Sequence, residues 1–287
     1  MKTIMTPNEY HQNLLCNREN ILADDSYLSK SVLWELKTNS LYRWRFAPRT
    51  FSGSAAADWG SMVDAELTEP GGCESIVAIS PFDSFRSKDA REWRDEQADA
   101  GMIVMKQSDV DQVKIAANKI RLDRNAADLL NCSQGQVILT SKINEVGVKC
   151  MIDLVPEDRP YLVDIKTTGD FSPSGISKKI AQFGYHAQAA WYLKIWNNEK
   201  PDDQRDRFRF VWQSSESPYE VAVTELPAMD IAAGEDWCAH HLERLIYAAK
   251  NEKWGNIFND KVAVIGRPGW AEAQDEQEME GFTNAPD

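Results

Sequence analysis

The sequence predicts an α/β protein with a central mixed β-sheet flanked by helices. Three patterns carry this expectation. Residues 136–167 read as three consecutive antiparallel strands, rich in β-branched and apolar residues. A helical pattern over 180–196 follows them, and then a second hairpin pairs 208–213 with 219–225. Helical periodicity before and after this block supplies the layers that cover the sheet.

The elements follow in order. Thr6-Pro7-Asn8-Glu9 is a capping box with proline at the first helical position, so a helix starts near Pro7. Ser29 or Ser26 caps the next helix, which runs to about Leu36. A third helix covers 55–67, with Trp59, Met62, Val63 and Leu67 on its apolar side, and stops at Pro70-Gly71-Gly72. Residues 76–80 form a short strand, 88–98 a polar helix and 102–106 another strand, and Ser108 caps a helix from Asp109 to about Arg124. Residues 202–207 are a charged loop, and 228–251 are a long final helix. From Ala271 the chain is acidic and poor in apolar residues, which predicts disorder. Residues 1–270 are therefore expected to form one domain and 271–287 an acidic tail.

The chemistry concentrates in the hairpin 148–168. Val148–Val155 and Tyr161–Thr167 are strands, and Pro156-Glu-Asp-Arg-Pro160 turns between them. Folding about that turn sets Asp153 nearly opposite Asp164, and strand alternation puts Lys166 on the same face as Asp164. Two carboxylates in an otherwise apolar setting repel each other, whereas a divalent cation makes them ligands. Hard carboxylate oxygens suit Mg²⁺ or Mn²⁺. Glu35-Leu36-Lys37 has the same acid-x-lysine spacing, but it lies in an amphipathic helical stretch and reads as a solvated face. On the helix after the hairpin, Tyr185, Gln188 and Tyr192 are spaced three and four apart and share one face.

Asp153, about ten residues, then Asp164-Ile-Lys166 resembles the PD-(D/E)xK nuclease superfamily, and Tyr185-x-x-Gln188-x-x-x-Tyr192 is similar to its RecE-like and RecB-like branch. The likeness to RecE-type exonucleases extends to Tyr27-Leu-Ser-Lys-Ser-Val-Leu33, Tyr42-Arg-Trp-Arg-Phe-Ala-Pro48, Trp59-Gly-Ser-Met-Val-Asp-Ala-Glu-Leu-Thr-Glu-Pro70, Gly147–Asp153, Val163–Thr168 and Gly269-Trp270. It covers roughly 25–270 in matching order. Two positions depart from it. The histidine usual in the Gly-x-x-x-His helix is Asp64 here, a competent hard-cation ligand. Gln136 stands where relatives often carry a glutamate, and brings an amide without charge.

The resemblance implies a PD-(D/E)xK nuclease core and a Mg²⁺- or Mn²⁺-dependent DNA exonuclease. It would act 5′→3′ on double-stranded DNA ends and leave single-stranded overhangs for recombination. The implied ligands are Asp64, Asp153, Asp164 and the backbone carbonyl of Ile165. Lys166 would orient or deprotonate the attacking water, and Gln188, Tyr192 and Tyr185 would position the strand. Ser31 and Arg45 are candidates for a 5′-phosphate. A ring-like homo-oligomer and a single-strand annealing protein as partner are implied as well. A structure-specific or single-strand endonuclease on the same core remains open, as does a degenerate nuclease fold used for DNA binding or docking.

Composition narrows the alternatives. Across 287 residues, a hydrophobic share of 43% and ten tryptophans suffice for a large core. No apolar run has membrane-spanning length, and the opening residues lack a signal-peptide pattern. The five cysteines form no Cys-x-x-Cys pair and read as reduced thiols, so a cytoplasmic protein without a zinc or disulfide framework is expected. A net charge of −13 excludes a generic nucleic-acid-coating protein, though six acids fall within 271–287. A local basic groove would draw on Arg43, Arg45, Arg49, Lys178, Lys179, Arg205, Arg207 and Arg209.

Overall fold

The computed structural model describes residues 7–48, 54–69, 71–258 and 261–283. The expected capping residue Thr6, the helix-stopping Pro70 and the groove candidate Arg49 lie outside them. The first helix is α1 (Pro7–Asn13). Ser29 caps α2 (Lys30–Trp34), accepting from the Val32 amide, and a 3₁₀ turn (Glu35–Lys37) extends it. Ser40 caps α3 (Leu41–Phe46) and Ser54 caps α4 (Ala55–Thr68) in the same way.

A small parallel pair, β1 (Val77–Ile79) and β2 (Ile103–Met105), flanks α5 (Lys88–Asp99). Then come α6 (Gln107–Leu122) and a separate α7 (Arg124–Asn131). The break between them is set by Asp123, whose carboxylate accepts from the amides of Asn125 and Ala126 and so starts a new helix.

The main sheet contains β3 (Ser133–Ile143), β4 (Val146–Pro156), β5 (Tyr161–Thr168), β6 (Arg207–Ser214) and β7 (Val221–Glu225), in that spatial order. Neighbours are antiparallel except β5 and β6, which are parallel. A parallel pair needs a helical crossover. Here it is α8 (Pro173–Phe183) and α9 (Tyr185–Glu199). The single helix expected over 180–196 is thus two. Gly184 breaks it at φ +65°, where a Cβ would also meet the Trp34 ring at 2.5 Å.

One apolar layer joins Leu33, Trp44, Ile152, Leu162, Trp191, Phe208 and Trp212 with α10 (Ala228–Asn251). The other joins Met62, Val63, Val110, Ile120, Val163 and Val211 on the opposite face. The sheet is therefore covered on both sides. The acidic end, expected to be disordered, is drawn as α11 (Gly269–Thr283), with Glu272 to Met279 exposed. No helix among the described residues is long and apolar enough to cross a membrane.

Candidate active site

The site lies where the sheet forks. β4 and β5 share one paired position, Leu154 with Val163. Beyond it they separate, and Leu28 bridges to Val148 of β4 instead, through Leu28 N–H to the Gly147 carbonyl (2.8 Å). The paired position puts Asp153 opposite Asp164 at the crotch of the fork. On the other side of β4, pairing with β3 runs through Gly135–Leu154, skips one position and resumes at Val137–Ile152. The skipped residue is Gln136, at φ +48°, so the ladder is interrupted beside Asp153.

The expected residues converge. Asp164 is 1% exposed and Asp153 9%. Asp153 Oδ2 accepts from the Ile165 amide (2.7 Å), so Ile165 reaches the site through its backbone. Asp164 Oδ1 accepts from Gln188 Nε2 (2.5 Å), while its Oδ2 meets the Lys166 ammonium. Tyr192 stands edge-on to Phe208 and lines the same cleft as Asp153, Asp164, Lys166 and Gln188. From α4, Asp64 Oδ2 accepts from Gln136 Nε2 (2.9 Å), which also donates to Thr68 Oγ1 (2.9 Å).

The electrostatics are those of crowded acids. Burial, then the charges of Asp164 and Asp64, pushes the Asp153 carboxyl well above the ordinary carboxylate range. Asp64 is pushed up to about 6, by burial first and Asp164 second. Burial by itself would lower Lys166, but Asp164 and Asp153 outweigh it, and the ammonium ends above the usual lysine range. Lys166 is therefore a fixed cation here rather than a ready base. Burial and then Asp164 raise the Tyr192 hydroxyl.

Among the described residues, no three Asp, Glu, His or Cys side chains form a ready-made ligand cluster. The donor set nevertheless suits a hard cation. Asp64 Oδ1, Asp164 Oδ2 and Gln136 Oε1 are buried without a hydrogen-bond donor. Oxygen acceptors left in this state are costly unless something electropositive completes them.

The cleft over these groups has a volume of about 1000 Å³. Of the expected nucleic-acid contacts, Ser31 lines it. Tyr185 lies under the Lys166 ammonium (5.0 Å to the ring) and packs against Phe183, Phe210 and Trp212. Arg45 is turned toward the Trp254 ring, and Arg43 lines the cleft in its place. Lys178 and Lys179 are exposed on α8, with Lys179 over Phe183, and neither lines the cleft. Three groove candidates are tied elsewhere: Arg205 is buried against Asp203 and the Tyr161 carbonyl, and Arg207 and Arg209 pair with Glu225. All five cysteines are free thiols.

Sequence reasoning missed Lys30, Lys149 and Arg18, which also line the cleft. Lys30 is buried, and its Nζ donates to the Phe183 carbonyl (2.5 Å). Burial, then Lys166, lowers it to about 7. The Ser29-Lys30-Ser31 triplet was visible, but nothing local says that its lysine turns inward.

Solved structures share this architecture at low sequence identity. A candidate exonuclease from Eubacterium rectale superposes with a TM-score of 0.59 at 13% identity, over 93% of this chain and 97% of that one. A phage-related exonuclease from Haemophilus somnus 129PT matches with a TM-score of 0.37 at 9% identity, over 86% of this chain and 89% of that one. An alkaline exonuclease from Laribacter hongkongensis gives 0.29 at 12%, over 68% and 95%. These last two are too remote to add to the argument. No curated protein matches the chain. A family model does match, across residues 56–259, and on that match the chain belongs to the family described as a PDDEXK-like domain of unknown function (DUF3799).

Proposed function

We propose that this protein is a divalent-metal-dependent DNA exonuclease that degrades duplex ends 5′→3′ and leaves single-stranded overhangs for recombination. The observation that carries the reading is the fork: Asp153 and Asp164 buried face to face, Lys166 against Asp164, and unfilled acceptor oxygens opening into a long cleft. A purely structural core would not leave such oxygens without donors. The fold similarity to the Eubacterium rectale protein, itself described as a candidate exonuclease, supports the same reading.

Asp64, Asp153, Asp164 and the Ile165 carbonyl would hold Mg²⁺ or Mn²⁺. Such an ion lowers the pKa of an attacking water and neutralises charge on the phosphate. The rest of the work falls to side chains. Lys166, held protonated by two acids, orients the water and stabilises charge on the phosphate oxygens. Gln188 fixes Asp164 in one rotamer through its amide. Tyr192 and Tyr185 supply ring faces and hydroxyls along the strand path. Lys30, Ser31 and Arg43 give the cleft wall its phosphate-binding character. Duplex DNA ends are the substrate, a single-strand annealing protein is the expected partner, and the chain works as a homo-oligomer in the cytoplasm.

The test is digestion of end-labelled linear duplex and covalently closed circular duplex with Mg²⁺. Loss of label from the 5′ end of linear DNA, with circles intact, is the expected result. Cleavage of circles would make it an endonuclease, and no cleavage of either would leave a binding fold.

A further inference from the structure

Past Gly255, whose carbonyl accepts from the Tyr42 amide, the chain leaves the body. The segment Lys261-Val-Ala-Val-Ile-Gly-Arg267 then runs in irregular conformation through solvent. Val262 and Val264 are 100% exposed and Ile265 73%. A β-branched run of this kind has strand propensity and an apolar surface that the single chain leaves uncovered.

The main sheet offers a place for such a strand. β7 is a terminal strand, with β6 on one side and no strand on the other. Its sequence with flanks is Glu220-Val-Ala-Val-Thr-Glu225, and both glutamates are exposed. The arm has the same Val-Ala-Val centre between basic ends, Lys261 and Arg267, although Arg267 also meets Asp275 of its own chain. Five-residue β7 matches the arm in length, and acidic flanks face basic ones whichever way the strand runs. The opposite edge, β3, carries Lys142 near its end and lacks this complementarity.

We propose that residues 261–267 form an exchanged arm that adds as a sixth strand to the β7 edge of a second copy of this chain. Backbone hydrogen bonds would give the pairing its strength, and the Glu220 and Glu225 flanks its register. Arm and β7 are different surfaces, so the contact is heterologous and propagates from copy to copy until a ring closes. The inference does not rest on the nuclease reading, because neither surface belongs to the site.

Sedimentation velocity over a range of concentrations tests it. The full chain should sediment as an oligomer. The double variant V262D/V264D should be monomeric with unchanged circular dichroism and melting temperature, because these side chains pack on nothing within one copy. E220K should weaken assembly at least ~10-fold, the scale of one well-placed interface contact, and adding K261E should restore it. A full chain that stays monomeric throughout, including one whose arm folds onto its own β7, would overturn the proposal. So would an oligomer that survives V262D/V264D, and assembly indifferent to E220K would remove β7 as the acceptor.

Discussion

The two ends of strand β5 bury polar groups in opposite ways. At the Tyr161 end, Arg205 is 4% exposed, yet its guanidinium is answered by the Tyr161 carbonyl (3.0 Å) and the Asp203 carboxylate, and it stacks on Trp196. At the Asp164–Lys166 end, three acids crowd together and several acceptor oxygens have no donor. The first end is complete in itself and so contributes stability. The second is stable only because the surrounding fold holds it, and it is ready for ligands that the chain does not supply.

The sharpest way to break this contrast is to exchange the consequences of mutating each end. Asp164→Asn or Lys166→Ala should lower nuclease activity by at least ~100-fold, the scale of removing one transition-state contact. The melting temperature should stay within a few degrees, since Asn keeps the shape and relieves repulsion. Arg205→Ala should do the reverse. It leaves a buried carbonyl without its donor, so a loss of roughly 2–4 kcal/mol in denaturant unfolding is expected, with activity per folded molecule unchanged.

A pH series sharpens the same comparison. Asp64 rises from the ordinary carboxylate value to about 6 in the folded chain. The folded state therefore holds a proton that the unfolded state has released between about pH 4 and 6. Stability of the metal-free protein should fall as pH climbs through that window, and stay lowered above it. Asp64→Asn should flatten this slope in urea unfolding measured at each pH, whereas Arg205→Ala should leave it in place. A slope identical in wild type and Asp64→Asn would show that Asp64 does not face the other acids.

The smallest expected effect concerns Gln136, which holds Asp64 without entering the cleft lining. Gln136→Ala should weaken Mn²⁺ affinity by about 10-fold, as for other groups that orient a ligand, while far-UV circular dichroism stays constant. Unchanged affinity would mean that Thr68 and the helix alone fix Asp64.

Much of the fork was legible because strands alternate. Once the 156–160 turn was recognised, Asp153, Asp164 and Lys166 followed from parity. Glu35-Leu36-Lys37 was separated from them by its helical setting, and in the structure Glu35 pairs with Arg18 while Lys37 donates to the Ala181 carbonyl. The break at Gly184 was not legible, because the apolar period runs through it and only the approach of Trp34 shows why no side chain fits. Nor was the Gln136–Asp64 bond, which joins residues 72 apart in sequence. Basic residues were the least readable. Charge alone did not say that Arg205, Arg207 and Arg209 would be claimed by acids of their own neighbourhood, or that Lys30 would turn inward.

The most direct measurement is calorimetric titration of Mn²⁺ into the wild-type chain, Asp164→Asn and Arg205→Ala, each checked for folding beforehand. The account predicts binding to wild type and Arg205→Ala with similar affinity, and a loss of binding in Asp164→Asn. Wild-type protein that takes up no metal, or Asp164→Asn that binds it as well as wild type, would contradict the claim that the fork is a site awaiting a cation.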